Sequence, residues 1–512
     1  MNVFISNRLE NLVVVMASRL NTPPSSILRQ EVILVQSSGM AKWIWLQLAK
    51  YSGVAANYYF PFPNAFLEDI FQAFIPEYEK NPIFEEGVLV WRIFELLLRF
   101  KEHKKFIDIR NYLGEAMDHY KTYQLAVKIA HTFDQYSIFR PDTLLRWEEE
   151  RNIRPEEEWQ AILWRNIPGE KIGFHRAALW RKLIDAMKDK PNRPEILPER
   201  LSVFGISYLP PYHLDILVRL SERMPIDYYY LNPSREYWAN IKSDREIARI
   251  IRKVPEDKLD WVEELHLETG NSLLASWGAQ GREFFQLLED LPLTFHDLFS
   301  GIERDTLLHK IQDDIYSLSE PLNEKGMKER IPFDDDTIQI HACYNHFREV
   351  EALHDILLSL FEKDSTIVPE NVLVMTPDIE TYAPYIEAVF EARDPKIPYS
   401  IEDRSLLAAN VVATGLFFLL DLVETRFKAS DVFFFLDNPA VSEKFEISAE
   451  DKELIQYWID QTYIKWGIDE THRRSFNVPD FSQNTWRQGL NRLLAGIMFD
   501  GRAPELYAGL LP

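Results

Sequence analysis

The sequence predicts an α/β fold with two parallel-sheet α/β domains and a helical insertion in the first. Three observations carry the architecture. Apolar runs of strand length alternate with amphipathic stretches before residue 85 and again from about 200; strand character almost vanishes between 86 and 195; and a second strand–helix–strand run begins near residue 337. Strand, helix, strand in succession implies parallel pairing, because a parallel partner is reached only through a long crossover.

Taken in order, the first unit opens with a short strand at Asn2–Ile5, an amphipathic helix from about Asn7 to Leu20 and a strand ending at Gln36. A helix from Met40 to Lys50 leads to Phe60-Pro61-Phe62-Pro63, where two prolines block regular pairing. Apolar residues then recur at spacings of three and four, in Val90, Trp91, Phe94, Leu97, Leu98 and in Leu125, Ile129, Phe133, Tyr136, Phe139, which is a helical period. The turn-rich Pro191-Asn192-Arg193-Pro194 closes this block. Strands return at Leu201–Ile206 and Ile226–Leu231 around a helix, so the helical block interrupts one domain. A polar linker, Lys325 to Asp336, precedes strands at Thr337–His341 and Asn371–Met375 around a helix from Arg348 to Phe361, then a short strand at Pro398–Ile401 and long helices. The predicted domains are 1–85 with 200–325, the insertion 86–199, a second α/β domain 326–440, and the start of a second helical insertion over 441–512.

Composition narrows the function. With 46% hydrophobic and 13% aromatic residues, 512 residues can build well-packed cores. The single cysteine, Cys343, excludes an intrachain disulfide framework and fits a reducing compartment. The N-terminus reads as no signal peptide, and the apolar run from Val411 to Leu420 stops at Asp421, too short to cross a bilayer; the expected setting is the cytoplasm, without membrane contact. A net charge of −23 argues against a protein that coats nucleic acid, so any DNA contact must be local.

The layout fits a superfamily 1 motor, in which ATP sits between two such domains, as well as any other pair of doubly wound domains. Chemistry separates the two. The stretch Val32-Ile33-Leu34-Val35-Gln36-Ser37-Ser38-Gly39-Met40-Ala41-Lys42-Trp43 has the strand, turn and helix start of a phosphate loop, but one glycine, and Lys42 is followed by Trp43 rather than a hydroxyl residue for Mg²⁺. No acidic pair follows Leu201–Ile206, and Thr376-Pro377 stands where motors usually place an arginine. His341 and His346 are wrongly spaced for a helical metal pair, Asp334-Asp335-Asp336 reads as a solvated linker, and neither G-x-S-x-G nor H-E-x-x-H occurs. What remains is a polar and aromatic set. Gln36, Ser37, Ser38 and Lys42 share one turn, Phe62 sits in the proline corner, Asp134, Gln135 and Arg140 lie on or after a helix of the insertion, and His175-Arg176 lies in another. Amides read base edges, cations hold phosphate or guanine, and phenyl rings stack on bases, which describes a single-strand channel; Asp134 with Arg140 reads equally as a structural pair.

At these same residues the chain resembles the RecC family, the gamma subunits of bacterial exodeoxyribonuclease V (RecBCD). The resemblance rests on Ser6-Asn7-Arg8-Leu9, Ile33 to Ala41, Phe133-Asp134-Gln135-Tyr136, Gly205 to Pro211, Asn232-Pro233, Leu273 to Gly278, Arg348-Glu349-Val350-Glu351, Trp466-Gly467-Ile468-Asp469 and Thr485-Trp486-Arg487, and spans nearly the whole chain. It implies a helicase fold that has lost its ATP-binding motifs, so that this chain needs no cofactor and ATP and Mg²⁺ are used by its partners. Those partners would be a RecB-like motor-nuclease and a RecD-like motor, in double-strand break repair by homologous recombination. The family's channels carry the unwound single strands and scan the 3′-ended one for the hotspot Chi; the alternative is a scaffold for the two motors with incidental DNA contact. Family members are about twice this length, which implies that the chain stops inside the second helicase-like half, without the C-terminal nuclease-like domain. Carried over by position, the scanning set is Gln36, Ser38, Lys42, Phe62, Glu68, His131, Thr132, Asp134, Gln135, Arg140 and Arg176. Ser38 stands where threonine is usual, Phe62 for leucine, Lys42 for glutamine, Glu68 for tryptophan, and His131-Thr132 for Asp-Leu.

Overall fold

The computed structural model describes residues 1–26, 28–78, 82–114, 118–167, 175–189, 197–252, 269–320, 331–405 and 410–498. The turn at Pro191–Pro194 and the 325–330 part of the expected linker lie outside the described residues. Two compact units divide between Gln339 and Ile340.

The first unit is built on β1 (Asn2–Ser6), α1 (Leu9–Leu20), β2 (Glu31–Leu34), α2 (Ser38–Ser52), β3 (Tyr58–Tyr59) and α3 (Pro63–Phe74). The insertion contributes α4 (Glu86–Arg99), α5 (Ile107–Leu113), α6 (His119–Phe139), α7 (Pro141–Glu148), α8 (Glu158–Asn166) and α9 (Arg176–Asp189). The chain then returns through β4 (Leu201–Phe204), α10 (Pro211–Ser221), β5 (Ile226–Leu231), α11 (Asp244–Ile251), α12 (Ser272–Trp277), α13 (Ala279–Glu289), β6 (Thr294–Asp297) and α14 (Leu307–Tyr316). The strands form one sheet in the order β3-β2-β4-β5-β1-β6, parallel at every pairing. Ile5 stands opposite Tyr230, and Leu34 opposite Val203.

Strand periodicity explains why this sheet is buried on both faces. Val3, Ile5, Leu201, Val203, Tyr228 and Tyr230 point into one core, which α3, α10 and α13 close with Phe71, Leu217 and Phe284. The alternate residues Phe4, Ile33, Phe204 and Tyr229 point into the other, closed by Leu12, Val13 and Met16 of α1 and Ile44 and Leu48 of α2. Continuous apolar strands of this kind belong to parallel sheets covered by helices on both sides. The insertion has its own core of Ile93, Leu96, Phe133, Trp147 and Trp164. Proline at the first position of α7 ends α6 at Phe139, because a proline inside a helix would lose a hydrogen bond and clash. Helix α9 serves both cores, with Ala177 and Ala178 in the insertion and Leu179, Leu183 and Met187 under the sheet.

The second unit comprises α15 (His346–Lys363), α16 (Ile379–Ala392), α17 (Val411–Glu424), α18 (Ala429–Asp437), α19 (Pro439–Lys444), α20 (Ala449–Thr462), α21 (Glu470–Arg474) and α22 (Trp486–Met498). Helices α15 and α16 pack through Val350, Leu357, Val389 and Phe390. The strands expected at 337–341, 371–375 and 398–401 correct to irregular backbone, and among the described residues this unit contains no strand. Their apolar alternation is real, but a strand exists only through ladder partners, and Ile340, Leu373 and Met375 stay 94%, 80% and 83% exposed.

Candidate nucleic-acid interface

In a doubly wound sheet, a crevice opens at the carboxyl ends of neighbouring strands whose connections leave in opposite directions. Strands β2 and β4 meet that condition, since β2 leads outward to β3 and β4 leads the other way to β5. The two turns that follow them pack together: Gly205, at φ +65°, is placed so that a Cβ would come 3.2 Å from the Met40 methyl group in the first turn of α2. After β2, the Val35 N–H donates to the Pro61 carbonyl at 3.2 Å, lacing the turn to the proline corner. The Ser37 hydroxyl then accepts from the Met40 N–H at 3.2 Å and caps α2. Gln36, Ser38 and Lys42 are left on the outside of this turn, Ser38 and Lys42 one helical turn apart, and Lys42 makes no ion pair among the described residues. Phe62, 48% exposed, precedes Pro63 at the start of α3.

Two separate polar contacts lie beyond this corner, one within the sheet domain and one within the insertion. The Asn64 side-chain oxygen lies 3.2 Å from His213 Nε2 on α10. Burial, and secondarily the charge of Arg176, lower the His213 pKa from 6.5 to about 4, so the ring is neutral at pH 7. Arg176, at the start of α9, donates from Nη1 to Asp134 Oδ1 on α6 at 2.9 Å. The expected Asp134–Arg140 pair is therefore corrected: the partner of Asp134 is Arg176, and the Arg140 guanidinium lies over the Tyr136 ring, 5.6 Å from its centroid. Arg140 falls at the break between α6 and α7, where Pro141 redirects the chain and sets its side chain out toward solvent.

The other expected residues sit as follows. Gln135 is half-buried beside Asp134 on α6. His131 stands one turn earlier on that face, with Nδ1 3.7 Å from Glu86 Oε1, and the Thr132 hydroxyl donates to the Lys128 carbonyl at 2.8 Å. Glu68 is half-buried on α3, where its charge adds to burial in raising the Asp69 carboxyl. The structure thus laces the turn that carries Gln36 to the corner that carries Phe62, separately pairs Asp134 with Arg176 across α6 and α9, and gives Glu68 and Thr132 local roles in their helices. Asn64 and His213 escaped sequence reasoning. The only local sign was a histidine on the apolar face of a helix entered through Pro210-Pro211.

The first βα turn, after β1, is filled by side chains. The Ser6 hydroxyl donates to the Leu298 carbonyl at 2.9 Å, and Asn7 exchanges hydrogen bonds with the Ser300 backbone at 2.9 and 3.0 Å. The Asn11 amide donates to the Leu298 carbonyl and to the Ser300 hydroxyl. Among the described residues no three His, Cys, Asp or Glu side chains converge as metal ligands, and no helix is long and apolar enough to cross a membrane.

A parallel α/β sheet with a helical insertion and a polar crevice at the switch between β2 and β4 defines a helicase-like fold. Within that class, the model of the RecC N-terminal domain matches residues 1–318, and that of the fourth domain of the RecBCD enzyme subunit RecC matches 409–512; the chain belongs to the RecC family. It is 34% identical to the RecBCD enzyme subunit RecC of Escherichia coli K12, over 100% of this chain and 49% of that one. The corresponding subunit of Haemophilus influenzae is 33% identical over 96% of this chain and 48% of its own length, and that of Mycolicibacterium smegmatis 28% over 97% and 46%. The chain spans about half the length of the curated relatives it matches.

Proposed function

We propose that this chain is the DNA-channel portion of a non-catalytic subunit in a cytoplasmic RecBCD-type helicase–nuclease that repairs double-strand breaks by homologous recombination. It would partner RecB-like and RecD-like subunits, which use the ATP and Mg²⁺, and would scan the 3′-ended single strand for a Chi-type hotspot. The observation that carries this reading is the pairing of a filled first βα turn with an open, polar second one. Asn7, Asn11 and Ser300 fill the first βα turn, where doubly wound nucleotide-binding sheets carry their phosphate fingerprint, rather than the turn after β2 at which the sequence invites the phosphate-loop comparison. Gln36, Ser38 and Lys42 meanwhile face solvent beside the exposed ring of Phe62.

On this reading Phe62 stacks on a base, Lys42 and Arg140 hold phosphate or a purine edge, and Gln36 reads a base through a donor and an acceptor. Lys42 stands where the resemblance places an amide, and an ammonium group only donates, so it selects acceptor edges such as guanine O6 and N7. The hotspot would then differ from the enterobacterial one. The test is to substitute Gln36 and Arg140 in the full-length subunit assembled with its motors, and to map where strand degradation pauses. A shifted or lost pause site is expected. Unchanged pausing favours the scaffold reading, and a robust ATPase of this chain abolished by Lys42→Ala would overturn the non-catalytic assignment.

A further inference from the structure

A cavity of about 670 Å³ opens in the second unit, within the segment that matches the fourth-domain model. Its rim carries three cations, Arg426, Lys428 and Lys465, none of which makes an ion pair among the described residues. On a chain of net charge −23, three unpaired cations around one opening are a local inversion of the surface. The two acidic side chains in the lining are already engaged, Asp437 with Lys452 Nζ at 2.7 Å and Asp460 with the Gln456 amide at 3.3 Å.

The rim is held in place by its own backbone. The Ala429 N–H donates to the Lys465 carbonyl at 2.9 Å, the Gly467 N–H to the Arg426 carbonyl at 2.8 Å, and Trp486 Nε1 to the Phe427 carbonyl at 3.0 Å. These bonds fix the two loops that carry the three cations against each other. Beneath them Arg473, 7% exposed and without a carboxylate partner, donates to the Trp466 and Phe481 carbonyls, and burial lowers its pKa. Its guanidinium lies 4.5 Å from the Trp466 centroid, and that of Arg426 lies 5.7 Å from it. The floor is apolar, formed by Phe433, Ile459 and Ile464.

We propose that this pocket binds an acidic peptide segment of a partner protein, with one apolar side chain on the Phe433–Ile464 floor and flanking carboxylates on Arg426, Lys428 and Lys465. A volume near 670 Å³ suits a side chain with its adjoining backbone, since ligand pockets run roughly 300–1,000 Å³. A DNA strand fits the site less well. Base stacking needs a free aromatic face; the Trp466 ring already carries two guanidinium groups, and Phe434, the exposed ring of the lining, is tilted against Phe418 with centroids 5.1 Å apart.

The test uses fluorescence anisotropy on the full chain with three labelled probes: a peptide with a Phe-Leu pair between runs of three acidic residues, the same peptide with Gly-Gly in place of the pair, and a twelve-nucleotide oligo-dT. The Phe-Leu peptide should bind, and should lose roughly tenfold in affinity for the Gly-Gly form and for the R426E/K465E variant, as removal of an anchor or of steering charge does. Lys428→Gln, which alters one exposed rim charge, should weaken binding in the same direction and covers a failure of the double variant to fold. Absence of peptide binding, equal binding by the variants, or displacement by inorganic phosphate at constant ionic strength would overturn the proposal. Tighter oligo-dT binding that the same variants weaken would overturn it in favour of nucleic acid.

Discussion

His213 on α10 is buried beside Asn64 of α3 and feels the charge of Arg176 at the start of α9, so its protonation reports on that buried contact. The perturbation is a shift from pH 7 to pH 5, applied to the native chain and to His213→Gln, which removes the titration and keeps an amide donor for Asn64. The folded pKa of about 4 lies below the ordinary 6.5, so the unfolded chain takes up a proton first as pH falls. Stability is therefore lost progressively below pH 6.5, and the loss saturates once the folded ring also protonates near pH 4. Between pH 7 and 5 this term is about 2 kcal/mol, from RT times the logarithm of the ratio of the two binding polynomials. The full difference of 2.5 units corresponds to about 3.4 kcal/mol. Urea unfolding followed by tryptophan fluorescence at both pH values gives the difference of differences. The native chain should lose about 2 kcal/mol more than His213→Gln. Equal pH dependence of the two proteins would refute the placement of His213 as a buried neutral ring. Removing the nearby positive charge with Arg176→Gln should raise the His213 pKa and shrink the effect.

Lys42→Ala should reduce the slope of log affinity against log salt for oligo-dT by about 0.7, the contribution of one single-strand phosphate contact, and an unchanged slope places Lys42 off the strand. Gly278→Ala should lower the unfolding midpoint sharply, because its Cβ would lie 2.6 Å from the Leu274 carbonyl oxygen and 3.0 Å from the Trp238 ring; a loss under about 1 kcal/mol would show that α12 and α13 shift freely there. Hydrogen bonding by the Ser243 backbone N–H, helped by Arg282, lowers the Glu246 pKa to about 2, so its stabilisation is present above pH 4.5 and lost as pH falls through about 2. Glu246→Gln should flatten that acid limb, by about 1 kcal/mol after allowing for screening of a carboxylate that is a third exposed, and identical acid limbs would contradict it.

The central strands β1, β2, β4 and β5 were legible because their runs are buried on both faces and therefore continuously apolar. The edge strands were not. Tyr58–Tyr59 is two residues long before a proline corner, and Thr294–Asp297 carries polar side chains on an exposed edge, so neither presents the pattern that betrays a core strand. Around the boundary between the units the pattern misled in the opposite direction: Thr337-Ile338-Gln339-Ile340-His341 alternates like a strand, but a sequence window does not contain its ladder partner. The same limit governed the candidate site. Residues on one turn, such as Gln36, Ser38 and Lys42, were visible together. The Asp134–Arg176 pair joins positions 42 residues apart, and the Asn64–His213 bridge positions 149 apart, so proximity in sequence suggested Arg140 instead.

The two βα turns of the sheet use their polar groups in opposite ways. A phosphate site needs several backbone N–H groups aimed at one point, with no side chain competing for the space. After β1, the side chains of Asn7 and Asn11 reach the Leu298–Ser300 segment just beyond β6, so the turn is tied across the sheet edge and its polar capacity is spent internally. After β2, Ser37 takes the Met40 N–H, and Met40 itself leans on Gly205, which fixes the start of α2 from below while leaving its outer face unengaged. That division gives the second turn a rigid base and free side chains. An amide or ammonium group that must discriminate bases needs such support, because a reading side chain on a mobile turn would lose its selectivity to conformational entropy.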